Sequence, residues 1–217
     1  MKKIALLAAG FLIGGAAFAQ TTSVPPVKWG LKAGVNLPKY HFTNTNGDDT
    51  ETETTTNFQV TGYADVPINS FFYVQPGISL QGKGGKFVDI DDGDIKHEYN
   101  TMEIGIPINF VGKVPVGTAA NFYLGAGPYV SWGIGGKDKW TAGNSETKRD
   151  LEYGSDSGDN LKRTDAGLNF LAGFELNSGF NIGAGYGLGL TDLRPTGDGG
   201  NGKWTNRVWS FTVGYSF

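Results

Sequence analysis

The last eleven residues, Arg207-Val-Trp-Ser-Phe-Thr-Val-Gly-Tyr-Ser-Phe217, constrain the fold most. Trp209, Phe211, Val213, Tyr215 and Phe217 alternate strictly with Ser210, Thr212, Gly214 and Ser216. Period-2 alternation puts one apolar, aromatic face and one small, polar face on a single β-strand. A soluble sandwich could use such a strand, so the alternation alone leaves the solvent of the apolar face open.

The other end of the chain narrows the choice. Met1-Lys2-Lys3 is a basic start, Ile4–Gly15 is apolar, and Ala17-Phe18-Ala19 fits a small-x-small cleavage pattern. Residues 1–19 are therefore expected to be a cleaved secretory signal, with 20–217 the mature domain. The apolar stretch is short for a span of about 20 residues, and no other segment reaches 18 consecutive apolar residues. There is no cysteine, which excludes a disulfide scaffold and a lipid-modified cysteine. An exported chain ending on an aromatic strand points to an outer-membrane β-barrel.

Composition fits a barrel whose strands face a polar interior with every second residue: 39% of the chain is hydrophobic and 13% aromatic. Gly is abundant, at 35 residues, without a collagen period. Lys2 and Lys3 leave with the signal, so 16 of the 18 basic side chains remain against 21 acidic ones. That acidic balance argues against a nucleic-acid partner.

Eight alternating segments are predicted as strands: Val27–Leu37, Asn57–Val66, Phe71–Gly82, Tyr99–Val111, Asn121–Ile134, Thr164–Asn177, Phe180–Leu190 and Arg207–Phe217. Ile68–Ser70, Asn177–Gly179 and the slightly longer Gly112–Ala120 read as turns. Pro38–Thr56, Lys83–Glu98, Gly135–Arg163 and Thr191–Asn206 read as long polar loops. The expectation is all-β: a closed eight-stranded antiparallel up-and-down transmembrane barrel, with short periplasmic turns and four long extracellular loops. Closure follows because an open edge in lipid would leave backbone groups unpaired. Pro76, Pro107 and Pro128 fall inside strands, where local bulges are expected.

Trp29-Gly-Leu-Lys-Ala-Gly-Val-Asn36, Phe72-Tyr-Val-Gln-Pro-Gly77 running on to Gln81–Gly84, Met102-Glu-Ile-Gly-Ile-Pro-Ile108, Tyr123-Leu-Gly-Ala-Gly-Pro-Tyr129, and Asn206–Trp209 leading into Gly214–Phe217 recur in order along the mature chain. In that order they resemble the strands of the PorT-like outer-membrane β-barrel family of Bacteroidetes. The resemblance implies an eight-stranded barrel in the outer membrane of a Gram-negative cell. It implies no particular activity.

Strand parity assigns Lys28, Lys32, Asp65, Glu103, Asp165 and Glu175 to an interior polar network, with Trp209, Phe211, Tyr215 and Phe217 facing lipid. An eight-stranded barrel is filled by its own side chains, and buried charges persist by pairing. A plugged core is expected, with Lys28 and Asp65 a candidate pair across the first hairpin. The glycines of Phe180–Leu190 narrow that wall and leave room for Tyr63, Tyr73, Tyr123 and Tyr129. Glu103 and Glu175 are expected at different heights, too far apart for an acid/base couple.

His41 and His97 fall in long loops, away from any Ser or Asp constellation the sequence can identify. The acidic runs Asp89–Asp94 and Asp48–Glu53 lack calcium-loop spacing and read as solvated. No cofactor or metal is expected. The functional expectation is a non-enzymatic barrel, structural or partner-binding through its outer loops. Lipids, lipopolysaccharide and the barrel assembly machinery, the last through the C-terminal strand, are its expected partners. A transport or secretion accessory or narrow channel, a lipid-modifying enzyme, and a soluble lipocalin-like barrel are the alternatives.

Overall fold

The computed structural model describes residues 25–44, 46–88, 95–143, 145–156, 158–196 and 202–217. The signal segment 1–19 and the acidic run Asp89–Asp94 lie outside the described residues. The described chain is built from ten strands: β1 (Lys28–Thr43), β2 (Asp49–Glu51), β3 (Asn57–Pro67), β4 (Phe72–Val88), β5 (Ile95–Val116), β6 (Ala120–Ala142), β7 (Ser145–Asp150), β8 (Thr164–Leu176), β9 (Phe180–Gly189) and β10 (Lys203–Ser216).

Eight of them form a ring in chain order, every neighbour antiparallel. β10 returns to β1 over a long register, from Gly30 opposite Ser216 to Thr43 opposite Lys203. The Trp29 and Phe217 backbones complete the seam, each N–H donating to the other's carbonyl at 3.0 and 2.8 Å. The sheet of the ring therefore has no free edge. β2 and β7 are short additions to the tops of β1 and β6.

The strands run further than alternation suggested, almost entirely at the loop end. β1 passes through Pro38, β4 through Lys83, and β5 and β6 are 22 and 23 residues long. Much of the four predicted long loops is thus strand. The Gly112–Ala120 turn also shrinks, because Val116 pairs with Ala120. At the Asn177–Gly179 turn, Gly179 takes φ +96°, a conformation that L side chains rarely adopt.

The three strand prolines do not produce the expected bulges. Beside each, the ladder to the preceding strand is interrupted, but the register resumes unchanged on both sides. Each proline pairs normally on its other side: Pro76 with Ile108, Pro107 with Tyr129, and Pro128 with Leu168. A missing N–H removes one rung, which a closed ring tolerates where its neighbours hold the register. The β5–β6 ladder does shift register, but at Met102/Glu103, where Gly133 and Gly135 are the successive partners.

Outward positions of the ring are apolar and exposed, Trp29, Leu31, Ile78, Ile104, Leu124, Ile182 and Val213 among them. Inward positions are mixed. Mid-ring they are polar: Asn36, Asp65, Gln75, Glu103, Asn109, Ser131, Asp165 and Asn206 are all buried. At the loop end the filling turns apolar. Tyr40, Leu151, Leu161 and Leu193 are buried together, with Phe42, Phe87, Tyr99, Tyr153 and Trp204 packed around them.

Inward tyrosines lie over glycines one or two strands away. A Cβ on Gly30 would sit 2.2 Å from the Tyr63 ring, and one on Gly183 2.1 Å from the Tyr123 hydroxyl. Tyr63 cannot swing away freely, since its hydroxyl meets Ser216 Oγ at 3.0 Å. Gly30→Ala is expected to cost about 1–3 kcal/mol in urea unfolding. Tyr63→Leu in the same chain should recover part of it; an additive or larger double-variant loss would sink this account.

Candidate functional site

Two places inside the ring concentrate chemistry, a polar lumen and the aromatic mouth above it. In the lumen, two lysines each bridge a pair of carboxylates. Near the loop end, Lys83 Nζ lies 2.7 Å from Asp165 Oδ2 and 2.9 Å from Glu103 Oε2. Tyr129 and Asn206 donate to Asp165 Oδ2 at 3.0 and 2.9 Å, and Ser131 Oγ donates to Glu103 Oε2 at 2.6 Å. The Lys83 ammonium also stands 4.7 Å from the centre of the Tyr129 ring.

Near the turn end, Lys113 Nζ contacts Asp65 Oδ2 at 2.5 Å and Glu175 Oε2 at 2.8 Å. Gln75 donates to Asp65 Oδ1 at 2.9 Å, and the Tyr73 ring lies 4.5 Å from the ammonium. Both triads cross the ring, joining β4, β5 and β8 in one case and β3, β5 and β8 in the other. Buried charges in such numbers are tolerable only with this density of donors.

The six inward ionisable residues singled out from parity are distributed as follows. Asp65, Glu103, Asp165 and Glu175 are buried in the two triads, with Glu103 and Glu175 in different ones. Lys28 stands directly opposite Asp65 on β3. The Asp65 carboxylate nevertheless takes Lys113, not Lys28, which corrects the expected Lys28–Asp65 pair. Lys28→Met should accordingly cost less than about 1 kcal/mol, the range of an exposed pair; a loss of several would restore Lys28 as the partner. Lys32 lines an interior cavity, its ammonium over the Tyr63 ring. Trp209, Phe211, Tyr215 and Phe217 are exposed on the outward face.

Sequence reasoning missed both bridging lysines. Lys83 had been read as the start of a loop and Lys113 as part of a turn. A usable signal existed: inward parity continues from Gln81 to Lys83 and from Asn109 through Val111 to Lys113.

The mouth also departs from expectation. His41 and His97 stand on β1 and β5, not in loops. His97 stacks on Trp140 with ring centres 3.8 Å apart, and its Nε2 meets Asp138 Oδ1 at 2.6 Å. Tyr40 and Phe42 pack on Trp204, each with centres 4.9 Å apart. Leu151, Tyr153 and Leu161 pack into this cluster: the Leu151 N–H donates to the Gly136 carbonyl at 3.1 Å and the Tyr153 hydroxyl to the Gly135 carbonyl at 2.9 Å. Asp192 secures the opposite side, accepting from the Trp204 N–H at 3.0 Å and pairing with Arg194. Partial burial disfavours its charge, but the backbone N–H groups of Trp204 and Arg194 and the Arg194 guanidinium outweigh this and hold its carboxyl below the ordinary aspartate range.

The outward face changes character at the level of the mouth. Below it stand Leu80, Met102, Trp132 and Ile134; above it stand Lys86, Glu98, Lys137 and Lys139. β7 extends this charged surface, with Glu146 between Lys139 at 2.9 Å and Lys148 at 2.7 Å. Those hydrogen bonds, Lys139 first, hold the Glu146 carboxyl down to about 2. The acidic run Asp48–Glu53 is likewise engaged: Glu51 pairs with Lys39, and Glu53 with Lys86 at 2.9 Å.

Among the described residues there is no helix long and apolar enough to cross a membrane. Several solved barrels have a similar course. Ail, the attachment invasion locus protein of Yersinia pestis, is 14% identical over 88% of this chain and 98% of its own, with a TM-score of 0.42. Neisserial surface protein A is 12% identical over 89% and 100%, with a TM-score of 0.49. The translocator domain of the autotransporter NalP from Neisseria meningitidis is 12% identical over 99% and 97%, with a TM-score of 0.35. None of the curated proteins compared matches the chain. Residues 18–194 match the family described as outer membrane protein beta-barrel domain. With most of its length matched, its strands closed into a ring and its apolar side chains turned outward, this chain belongs to that family of outer-membrane β-barrels.

Proposed function

We propose that the protein is a non-conducting, non-enzymatic barrel that acts through the surface it presents at its loop end. The observation that carries this reading is the filling of the lumen: two cross-ring ion-pair triads in the middle and an aromatic cluster at the mouth. What the barrel offers a partner is therefore its projecting rim. At about 3.3 Å per residue and a tilt near 40°, the 22 residues of β5 rise roughly 55 Å, about twice an apolar band of about 25 Å.

In this reading the signal at residues 1–19 exports the chain through the general secretory pathway. The turns lie in the periplasm with both chain ends, and the β5–β6–β7 projection stands outside the cell. The outward lysines above the apolar band, Lys86, Lys137 and Lys139, would meet the phosphates of lipopolysaccharide by exchanging their exposed partners Glu53, Asp150 and Glu146. The C-terminal aromatic strand suits recognition by the barrel assembly machinery. The ordered motifs from Trp29–Asn36 to Gly214–Phe217 favour the PorT-like branch of Bacteroidetes barrels.

The reading is tested in planar lipid bilayers. Folded protein, verified by heat-modifiable gel migration, should insert without discrete openings. Reproducible openings of uniform conductance would overturn it in favour of a narrow channel.

A further inference from the structure

The lumenal lysines are unequally partnered. Lys83 and Lys113 between them hold four buried carboxylates, Glu103, Asp165, Asp65 and Glu175, while a fifth, Asp138, pairs with His97 at the mouth. The carboxylates of each triad are further hydrogen-bonded by neutral donors, Tyr129, Asn206 and Ser131 in one and Gln75 in the other. Lys28 stands at the turn end opposite Asp65. Lys32 stands two inward positions further along β1, where the facing β3 residue is Thr61.

Among the described residues, no carboxylate and no hydrogen-bond acceptor lies within reach of the Lys32 ammonium. Its recorded contact is the face of Tyr63, 5.3 Å away, which replaces only part of an ammonium's hydration.

Lys32 faces space. It lines a cavity of about 80 Å³ of mixed polar and apolar lining, to which Asn36 on the same strand, Gln59 on β3 and Asn109 on β5 also contribute. Asn36 and Asn109 are 0% and 4% exposed, and the Oδ1 of each is buried without a partner among the described residues. Asn36 cannot turn its amide nitrogen to the cavity, because Nδ2 donates to the Gly82 carbonyl at 3.1 Å. A water-sized occupant needs about 10–15 Å³ by this measure, so the cavity holds several. The occupants must accept from an ammonium, compensate its charge, and donate to two amide oxygens.

We infer that the cavity is a binding site for one small monovalent anion such as chloride, held by Lys32 and by waters that bridge it to Asn36 and Asn109. A water between the anion and an amide oxygen donates one hydrogen to each, which satisfies the orphaned acceptors. The anion supplies the contact counter-ion that Lys32 lacks, since the triad carboxylates are drawn to Lys83 and Lys113. The site is separate from the projecting rim and does not depend on what the rim binds.

Bromide tests this directly. The protein is refolded from urea into detergent with bromide as the sole halide, then crystallised, and anomalous scattering is measured. The expected result is one bromide peak within hydrogen-bonding reach of Lys32 Nζ, present in Lys28→Met and lost in Lys32→Met. A wild-type cavity holding water alone, or a peak that persists in Lys32→Met, would overturn the site. Should Lys32→Met not fold, the unfolding temperature decides. It should rise when bromide replaces gluconate in wild type and Lys28→Met, and show no such rise in Lys32→Gln; equal responses in all three would sink the idea.

Discussion

Replacing Lys83 by methionine should destabilise the folded barrel by about 3–5 kcal/mol, because it strands two buried carboxylates without a cation. Lys83 is 2% exposed, and the Glu103 and Asp165 carboxylates that it bridges are nearly as buried. Without the lysine, each carboxylate keeps only its neutral donors, Tyr129 and Asn206 for Asp165 and Ser131 for Glu103, which lessen the loss without cancelling it. Reversible urea unfolding in phospholipid vesicles measures it.

The companion variant separates charge from packing. Lys83→Met with Glu103→Gln and Asp165→Asn removes the triad's charges and keeps its volumes, and should be markedly less destabilised than Lys83→Met alone. Neutralising a whole buried network is often tolerated where breaking it is not. A single variant within about 0.5 kcal/mol of wild type, the scale of an ordinary surface change, would mean that water reaches the triad and screens it.

The second large effect lies on the opposite side of the same wall. Val213→Arg, at the centre of the outward row from Trp209 to Phe217, should cost about 2–4 kcal/mol, the penalty for a cation at the bilayer midplane. Thr141→Arg, on β6 beyond the last apolar outward residue Ile134, should change stability by less than about 0.5 kcal/mol. The contrast maps where hydrocarbon ends. Equal, small effects at both positions would place the Val213 face in water and turn the lumen into a candidate ligand pocket of a soluble barrel.

These effects belong to one design. An outward face that must be apolar leaves only inward positions for polar chemistry, and an eight-stranded ring gives those positions no room for bulk water. The lumen must therefore satisfy its charges internally, and the triads do so across the ring. The one lysine outside that arrangement in mid-lumen, Lys32, is where the proposed anion sits.

Alternation was legible wherever its two faces differ in kind. Trp209-to-Phe217 and Phe58-to-Val66 show it without help, since a strand between lipid and a packed polar interior cannot mix its sides. Legibility failed above the apolar band. There the outward residues become Lys86, Glu98, Lys137 and Lys139 while the inward ones become Phe87, Tyr99 and Trp140, so the pattern inverts and reads as loop. Lys83 is lost for the same reason, since no apolar outward residue follows Leu80 on its strand before the charged rim; Lys113 is lost because Gly112, Pro115 and Gly117 read as a turn, although Val114 and Val116 continue the outward row. The prolines misled differently, because a proline's missing rung can be absorbed by either a bulge or a gap, and local sequence does not choose between them.

Periodicity alone carries the number of ring strands, their facing and their antiparallel order, because each follows from a two-residue repeat and short connections. Partner choice was decided only in three dimensions. Lys28 stands opposite Asp65 in the first hairpin, yet Lys113, 48 residues along the chain from Asp65, takes its carboxylate. Ring closure, shear and strand tilt set which inward side chains meet across the lumen, and these are properties of the whole sheet that no single strand encodes.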